Sequence, residues 1–430
     1  MTRTLSMLRY KEVLTAATLS LVHGRIRIVN RYSHSQWVGL FILVLVSMPA
    51  GRADPNFSAN DSSFGLVSKG LLPGGAVGKP TASPTQAINL DAWHALQDII
   101  PRLAQKQVVF IGEEHDRFDN HLNQLAIIRG LYKLHPNLVI GVEYFQQPFQ
   151  KYLNQFVAGD INETQLLLKT QYYHRWGYDF RLYAPIFQYV RAHKIPVIAL
   201  NIPTETVEKV GNVGIKGLSP KLRATLPRHL GESDPEYRQR LAKIYMVHPK
   251  IKGSDFKRFF EVQLAWDEGM AARAAHYLEH HPRRPMVILA GSGHVAYGAG
   301  IPRRLVRRLP RTYAIVLDDW QGEASPHLAD YLVYSREQVL PRAGRLGVRL
   351  SAAGGGGAQV DSFAADSAAR AAGIERGDKI VALNDGVVNS PADAKARLWN
   401  MKPGQRVSVT LRRTSRLHHD KNLVVAVILR

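Results

Sequence analysis

The chain of 430 residues contains no cysteine. This absence excludes disulfide bonds, thiolate zinc sites, thiol nucleophiles and covalent attachment of a c-type haem. It also excludes a lipoprotein anchor, which requires a cysteine at the cleavage site. Acidic residues are scarce too, because 35 Asp and Glu stand against 56 Lys and Arg, and the net charge is +21. Such a balance favours anionic partners in general, although no single basic patch dominates the sequence.

The densest basic run lies at residues 303–308. Its spacing predicts an amphipathic helix whose arginines form a solvated face. The chain has no recognisable nucleic-acid-binding module, and its N-terminus resembles an export signal. We therefore expect no nucleic-acid partner.

The N-terminal region has the features of a secretory signal. Arg25, Arg27 and Arg31 precede an apolar run at 37–48, and a small-x-small pattern before Asp54 predicts cleavage there. The run is too short to span a bilayer comfortably, although an uncleaved anchor is the alternative. We predict a signal peptide at 1–53 and a flexible, Gly-, Ser- and Pro-rich linker at 54–88. Export without cysteine suggests a bacterial periplasm.

Apolar strand-like runs alternate with segments of helical periodicity from about residue 90 onward. Helical patterns separate the runs and dominate residues 205–282. This alternation predicts an α/β fold, with a largely parallel sheet and helices on both faces. We expect the domain to span 89–325, followed by a connector at 326–343 and a small β-rich domain at 344–430. The predicted strands lie at 108–111, 138–143, 196–200, 286–290 and 313–317.

Polar residues follow four of these strands at the point where each strand ends. Glu113 and His115 follow the first strand, Glu143 ends the second, Asn201 ends the third and His294 follows the fourth. The two histidines close a repeated Gly-x-x-His motif. Because ligands bind at the carboxyl ends of parallel strands, we expect one shared site.

Two uses of this residue set compete. His115, His294 and Glu143 suit a divalent metal such as zinc, manganese or iron, with positions left open for water or substrate. Alternatively, Glu113 or Glu143 acts as a general base with a histidine partner and no metal. In either case these four side chains are the predicted catalytic residues. We expect the nearby His121 to have a structural or surface role.

An aromatic segment at 171–183 offers a second chemistry. A tyrosine phenolate can ligate ferric haem, especially where a nearby cation lowers its pKa. Tyr178 and Tyr183 belong to this segment, and Tyr144 follows the second strand. His174 or Arg175 would supply the cation. The alternative is a packed aromatic loop along the sheet edge.

In their order, these motifs resemble the ChaN-like haem-binding uptake proteins of the Tiki/TraB superfamily. The resemblance implies an α/β fold and a role in haem or iron acquisition at the cell envelope. By motif, His115, Glu143 and His294 correspond to the functional positions of related metal-dependent proteases and esterases, and Glu113 matches the acidic residue of the first motif. The matching pieces lie at 111–116, 141–143, 176–185, 199–203 and 290–294 and cover roughly residues 90–320.

This chain departs from the family pattern in two respects. It lacks the cysteine of the many ChaN-like proteins that look like lipoproteins. The haem-ligating tyrosine is not placed by any motif, so Tyr144, Tyr178 and Tyr183 are candidates from chemistry alone, with Asn201 as a further cofactor contact. Haem held between two protomers would require a homodimer.

The C-terminal segment resembles a PDZ domain of the kind attached to HtrA-type bacterial proteases. Leu346, Gly347 and Val348 match the carboxylate-binding loop, residues 373–386 match the family core and residues 390–398 match the groove helix. The resemblance implies binding by β-augmentation, in which the C-terminus of a partner adds a strand to the sheet. The expected partner is the C-terminal peptide of an envelope protein.

Two functions follow from these features. The first is a periplasmic haem-binding protein in haem or iron uptake, with the PDZ module docking it to a membrane partner. The alternative is a metal-dependent hydrolase or protease that uses His115, Glu143 and His294 and selects substrates through the PDZ module. A third hypothesis is an envelope interaction protein with a degenerate site.

Overall fold

The computed structural model describes residues 93–231, 235–247, 255–320, 324–414 and 421–430. The signal peptide and the linker predicted at 1–53 and 54–88 lie outside these residues. Every described residue belongs to one compact unit. None of the helices in the described part combines the length and the apolar character needed to cross a membrane.

A parallel sheet organises the first domain, as the sequence predicts. All five predicted strands are present, and a sixth strand lies within the segment predicted as a connector, where it pairs with the fifth. The strands run in the order β3-β2-β4-β1-β5-β6. They are β1 (Val108–Glu113), β2 (Val139–Gln146), β3 (Val197–Asn201), β4 (Met286–Gly291), β5 (Tyr313–Asp318) and β6 (Tyr331–Val333).

Twelve described helices accompany this sheet in the chain, and α10 is the longest at 25 residues. It lies within the region that the sequence predicts to be mostly helical. The helices are α1 (Leu96–Ala104), α2 (Phe118–Leu134), α3 (Gln150–Ala158), α4 (Glu163–Lys169), α5 (Tyr172–Arg175), α6 (Ala184–Ala192), α7 (Thr204–Val213), α8 (Pro220–Arg223), α9 (Pro235–Val247), α10 (Phe256–His280), α11 (Ser292–Val295) and α12 (Ile301–Arg308).

The sheet is buried on both faces. Alternate side chains of a strand point to opposite faces, and accordingly Val109 and Ile111 of β1 join one hydrophobic core while Val108 and Phe110 join the other. Burial on both faces explains why the strands read as continuous apolar runs in the sequence. It also leaves the strand ends as the place where polar side chains can gather.

The arginines of α12 form the predicted solvated face only in part, because Arg303 and Arg307 are exposed whereas Arg304 is not. Arg304 is buried, and the guanidinium groups of Arg304, Arg307 and Arg308 all approach the carboxylate of Glu268 on α10. The Nη2 atom of Arg307 lies 2.7 Å from Oε1 of Glu268. A buried carboxylate requires such neutralisation, and this requirement directs the guanidinium groups of three of the four arginines toward Glu268.

The second domain contains an antiparallel sheet, which confirms the predicted β-rich tail. Its path runs β12-β11-β9-β8-β7, with β10 paired to β9, so β7 lies at an edge. The helix predicted at 390–398 is present as α14. The elements are β7 (Val348–Ala352), β8 (Ala358–Phe363), α13 (Ala368–Ala371), β9 (Lys379–Leu383), β10 (Gly386–Val387), α14 (Pro391–Leu398), β11 (Arg406–Arg413) and β12 (Lys421–Ile428).

Helix α14 and the residue after it pack against the first domain. The ring of Trp399 lies 5.3 Å from that of Phe180, and its Nε1 donates to Oγ1 of Thr164 at 3.2 Å. Ala396 and Trp399 belong to the same hydrophobic core as the residues around α4 and α5. The two domains therefore share part of one core.

Candidate functional site

The two Gly-x-x-His motifs meet at the carboxyl edge of the parallel sheet. β1 and β4 are neighbours, and Glu113 lies opposite Gly291 in their register. A Cβ atom at Gly291 would lie only 2.9 Å from Cε1 of His115, and one at Gly112 would lie 3.0 Å from the Cα of Ser292. The glycine of each motif therefore makes room for the other motif.

A carboxylate holds the first histidine. The Nδ1 atom of His115 lies 2.9 Å from Oε1 of Glu113, and both side chains are buried. The second oxygen of Glu113 accepts from Nε2 of Gln124 at 2.6 Å and lies 3.1 Å from Nδ1 of His121. The other ring nitrogen of His121 lies 3.2 Å from the carbonyl oxygen of His115. His121 is thus part of the site and not a surface residue.

A second carboxylate holds the second histidine. The Nδ1 atom of His294 lies 2.6 Å from Oδ1 of Asp267, which projects from α10. The hydroxyl of Tyr237 donates to the other oxygen of Asp267 at 2.5 Å. All three side chains are buried. The two histidines are therefore held in the same way, each by an acid at Nδ1.

Glu143 lies within β2, directly after Val142, the last residue of β2 that pairs with β4, and its side chain interacts with both histidines. Its Oε1 is 3.4 Å from Nε2 of His294, and its Oε2 accepts from the backbone N–H of Gly291 at 2.7 Å. A Cβ on that glycine would meet Nε2 of His115 at 3.0 Å and Oε2 of Glu143 at 3.7 Å. The site is thus a row of acid, histidine, acid, histidine and acid across the sheet edge.

The neighbouring carboxylates raise the pKa of both histidines. Burial alone would lower the pKa of His294, but the charges of Glu143 and Asp267 outweigh it and raise that pKa to about 10. Burial also opposes the charged form of His115, yet its hydrogen bond to the carboxylate of Glu113 and the charge of Glu143 raise its pKa above the ordinary value. Both imidazoles therefore favour the protonated form in the isolated protein.

The carboxylates respond in the opposite sense. Burial would raise the pKa of Glu143, but the charge of His294, its hydrogen bond and the charge of His115 bring the pKa below its ordinary value. The pKa of Glu113 is also lowered, because the charge of His121 and the hydrogen bonds from both neighbouring histidines outweigh burial. The carboxylates are therefore held charged beside imidazoles that favour the protonated form, as buried ion pairs.

The donor set also fits a divalent metal in its chemistry. Each Nδ1 is engaged by a carboxylate, which directs Nε2 of His115 and of His294 toward Glu143, as in carboxylate–histidine–metal sites. Among the described residues, however, the group of three whose ligand atoms lie within 4.8 Å of one another is the exposed His276, Glu279 and His280 on α10. The ligand atoms at the sheet edge are thus farther apart than in such a group, in an arrangement of hydrogen-bonded pairs. Metal binding at this site stays a prediction.

The three candidate tyrosines differ in accessibility. Tyr144 and Tyr183 are buried, and the Tyr183 hydroxyl lies 3.3 Å from the carbonyl oxygen of His115. Tyr178 is half-buried, and its ring centroid is 5.1 Å from that of His115. Burial raises the pKa of all three hydroxyls. The expectation that a nearby cation lowers the pKa of a tyrosine is therefore wrong. Arg175 does not neutralise a phenolate but pairs with Glu205, 2.7 Å away.

Tyr178 is the most accessible of the three candidate tyrosines. No hydrogen bond joins its hydroxyl to another residue in the described ranges, whereas the buried Tyr183 is already engaged. The rings of Trp176 and Tyr178 both lie close to His115, at centroid distances of 4.9 and 5.1 Å. The planes of these two rings are inclined to each other at 49°, and Trp176 is buried, so Tyr178 is the more exposed aromatic side chain beside His115.

A small cavity adjoins Glu143. It has a volume of about 240 Å³, including the part that opens to solvent. Asn201, a predicted cofactor contact, lines it from the end of β3 together with Tyr144, Tyr172 and Arg175. Asn201 thus lies at the edge of the site, and its role as a cofactor contact stays a prediction.

A separate group of acids lies at the end of β5. Asp119, Asp318 and Asp319 are buried, and Arg117 binds Asp119 and Asp319 at 2.8 Å each. Burial raises the pKa of Asp318 to about 7, since only Asn123 among the described residues donates to it. This group belongs to the junction of α2, β5 and the segment after β6.

The predicted peptide-binding loop lies at the start of the edge strand of the second sheet. Leu346 is buried in the core of the second domain, Gly347 has a φ of +71° and Val348 begins β7. A glycine is suited to this backbone conformation because it has no Cβ. The loop therefore leads directly into the exposed strand edge beside α14.

Sequence reasoning missed two members of the site. Asp267 lies in a long helix, where an acidic residue is usually expected to face solvent. The sequence does give one indication of its burial, because Trp266 and Met270 beside it are apolar. His121 lies one turn into α2 on a face that its periodicity marks as apolar. In both cases a polar residue on an apolar helix face indicated a buried partner.

Fold and site together define an α/β protein with paired histidines and acids at the carboxyl edge of a parallel sheet, joined to a small antiparallel domain. Residues 99–305 match the family model described as haem-binding uptake, Tiki superfamily, ChaN, and residues 344–427 match the model of the PDZ domain. The chain therefore contains a ChaN-like haem-binding domain of the Tiki superfamily followed by a PDZ domain.

Several known proteins are similar to parts of the chain. A structure of cofacial haem binding to ChaN of Campylobacter jejuni is 19% identical, covers 55% of this chain and 90% of that one, and has a TM-score of 0.44. A structure of the erythromycin esterase EreC is 14% identical, with 51% and 72% covered and a TM-score of 0.33. The chloroplastic protein RETICULATA-RELATED 5 of Arabidopsis thaliana is 26% identical over 275 residues. That match covers 56% of this chain but spans only 36% of the relative's length.

Proposed function

We propose that the protein binds haem and acts in haem or iron uptake, with Tyr178 as the iron ligand. The observation that carries the proposal is the half-buried position of Tyr178 beside His115 in a domain that matches the haem-binding uptake family. Haem supplies the iron chemistry when bound. The chain would supply the phenolic ligand, the ring of Trp176 that packs beside Tyr178, and the row of buried acids and histidines next to them.

The test is a titration of the full chain with haemin, followed by absorption spectroscopy. We expect saturable binding with the charge-transfer band of a tyrosinate ligand, and loss of that band in Tyr178→Phe. The matched control is Tyr173→Phe, since the Tyr173 hydroxyl accepts a hydrogen bond from the backbone of Phe180 and takes no part in the site. An unchanged band in Tyr178→Phe would assign the ligand elsewhere.

Haem binding also makes a prediction about assembly. Because Tyr178 is only half-buried, a haem bound there would remain partly exposed, and a second protomer could cover the exposed part. We propose a homodimer that forms around bound haem. Sedimentation of the full chain with and without haemin tests it, and a monomer at saturating haemin contradicts it.

The PDZ domain would dock the protein to a partner. We propose that the free C-terminus of an envelope protein pairs with the edge of β7, with its carboxylate at the loop formed by Leu346, Gly347 and Val348. The position of β7 at the edge of its sheet supports this mode. Peptides with a free C-terminus should bind, whereas the same peptides with an amidated C-terminus should not. Equal binding of both forms would contradict capture of the carboxylate.

The periplasm is the proposed location, on the basis of the N-terminal sequence pattern. Fractionation of a bacterial host and N-terminal sequencing of the exported product test it. We expect a mature chain that begins at Asp54. A full-length product in the cytoplasm would contradict export.

A second candidate function rests on a different observation. Each histidine is held at Nδ1 by an acid and directs Nε2 toward Glu143, which suits a metal-dependent hydrolase or protease with PDZ-guided substrate selection. Here His115, Glu143 and His294 would hold the metal. We expect native mass spectrometry to show one metal per chain that is lost in His115→Ala and in His294→Ala. The exposed His174→Ala serves as the control, and full occupancy in the first two variants would remove this role.

A further inference from the structure

Three buried polar atoms without a hydrogen-bond partner belong to residues that line one small cavity. Across the described residues, six buried side-chain nitrogen or oxygen atoms make no hydrogen bond, and three of them are the hydroxyls of Tyr144 and Tyr172 and Oδ1 of Asn201. All three residues line the cavity beside Glu143. Buried polar groups normally find partners, because an unpaired one costs free energy. Their convergence on one space indicates a ligand.

The remaining polar lining is already engaged within the protein. Arg175 donates to Oε1 of Gln146 at 2.8 Å and pairs with Glu205 at 2.7 Å. The hydroxyl of Thr170 donates to the carbonyl oxygen of Leu166 at 2.7 Å. The three unpaired oxygens are therefore what this space presents to a ligand.

The chemistry of these oxygens selects a class of ligand. Burial raises the pKa of Tyr144 and Tyr172 well above the ordinary value, so both hydroxyls stay protonated and can donate. The amide oxygen of Asn201 can only accept. A hydroxyl group accepts two hydrogen bonds and donates one. It therefore matches the two donating tyrosine hydroxyls and the one accepting amide oxygen. An ammonium group would also suit three oxygens, but the guanidinium of Arg175 lines the same cavity and disfavours a second cation.

We propose that Tyr144, Tyr172 and Asn201 form a subsite that binds one hydroxyl group next to Glu143. The two tyrosine hydroxyls donate hydrogen bonds to the oxygen of the bound hydroxyl group, and Oδ1 of Asn201 accepts a hydrogen bond from that group. The occupant is either a water molecule or the terminal hydroxyl of a larger neutral ligand. A cavity of this size accommodates that group but not a porphyrin, so the subsite is additional to the proposed haem surface at Tyr178.

A double-mutant cycle with Tyr144→Phe and Tyr172→Phe tests the proposal. Phenylalanine keeps the ring contacts, such as the 4.3 Å centroid distance from Tyr144 to Tyr183, and removes only the hydroxyl. If both hydroxyls hold one group, each single variant should lower the melting temperature by about 2–4 °C. The double variant should lose less than the sum, because the two changes share a partner. If the hydroxyls hold nothing, removal should leave the melting temperature unchanged or raise it.

Three conditions separate the occupants. Coupling in plain buffer identifies water, and coupling that appears only with ethylene glycol identifies a ligand hydroxyl; both support the subsite. The parent chain, the two single variants and the double variant are all measured in ethylene glycol, so its nonspecific effects on melting temperature cancel in the coupling. Coupling that appears only with ammonium chloride, or no coupling in any condition, overturns the proposal. Tyr173→Phe is the control, since Tyr173 neighbours Tyr172 in sequence but does not line the cavity, and it should not couple with Tyr144→Phe.

Discussion

The Nδ1 atom of His294 lies 2.6 Å from Oδ1 of Asp267, and both side chains are buried. This contact fixes the orientation of the imidazole ring, so that Nε2 is directed at Oε1 of Glu143, 3.4 Å away. The negative charge of Asp267 is also one cause of the raised pKa of His294. Asp267 is therefore a positioning residue for the site, although it lies on a helix far from it in sequence.

We predict that Asp267→Asn lowers the pKa of His294 from about 10 toward the ordinary value. The protonated imidazole loses one of its two acids, while Asn retains the size of the side chain. NMR titration of the ring nitrogens measures the shift. Glu279→Gln, an exposed change on the same helix, should leave the pKa in place. The same pKa in Asp267→Asn and in the parent chain would show that Glu143 alone maintains it.

This pKa also has a consequence for stability. A histidine whose pKa is raised in the folded state stabilises the fold fully below its unfolded pKa of 6.5, and the contribution is lost as pH rises toward 10. In Asp267→Asn the loss with rising pH should be smaller and should end at a lower pH. Denaturant unfolding between pH 6 and pH 10 measures the difference between the two proteins.

The carboxylate of Glu268, next to Asp267 in the chain, makes a prediction of its own. Glu268 is fully buried and contacts Arg304, Arg307 and Arg308. We expect Glu268→Gln to destabilise the fold by about 3–5 kcal/mol, because it leaves buried or half-buried guanidinium groups without a counter-charge. Denaturant unfolding measures the effect.

The exposed Glu279→Gln on the same helix again provides the control and should change the free energy of unfolding by less than about 0.5 kcal/mol. A comparably small effect of Glu268→Gln would mean that the three arginines find sufficient compensation from water and backbone carbonyls. Arg304 does contact the carbonyl oxygens of Ala299 and Gly300, so the two outcomes are physically distinct.

The sequence predicts the strands and the shared position of the histidines for a local reason. A strand buried on both faces must be apolar along its length, and the ends of parallel strands always meet at one edge, whatever the strand order. Glu113, His115, Glu143 and His294 could thus be assigned to one site without knowledge of the sheet order. The insertion of β4 between β2 and β1 is a long-range outcome of packing and has no local signal.

The helix residues could not be assigned in the same way. Which face of α10 is buried depends on its packing against β3, α7 and α12. Asp267 and Glu268 are adjacent in sequence, yet one holds a histidine and the other holds arginines. A periodicity argument treats both as interruptions of an apolar face. Only the positions of their partners, more than 25 residues away in the chain, separate the two roles.

Asp318 makes a prediction about pH. Burial raises its pKa to about 7 from an ordinary value of 3.8. Between these values the folded state holds a proton that the unfolded state releases, so stability falls as pH rises from about 4 to about 7. We expect Asp318→Asn to remove this fall. The variant should be more stable than the parent chain at pH 8, by up to about 4 kcal/mol, and similar to it at pH 4.

Asp366→Asn, an exposed change in the second domain, is the control and should have the same effect at both values of pH. Equal stability of Asp318→Asn and the parent chain at pH 8 would mean that the hydrogen bond from Asn123, 2.8 Å in length, compensates for burial of the charge.

Trp399 joins the PDZ domain to the aromatic segment of the site. Its ring packs on Phe180 and its Nε1 donates to Thr164 on α4. Trp399→Ala removes both contacts, and a buried tryptophan truncated in this way costs about 3–5 kcal/mol. Because the lost contacts lie between domains, we expect the thermal unfolding of the chain to separate into two calorimetric transitions.

Trp399→Phe, which keeps a ring and loses only the hydrogen bond, should retain most of the coupling between the domains. The exposed Trp93→Ala should have little effect. Persistence of the parent unfolding profile in Trp399→Ala would place the coupling between the domains in other contacts, such as that of Arg181 with the carbonyl oxygen of Pro341.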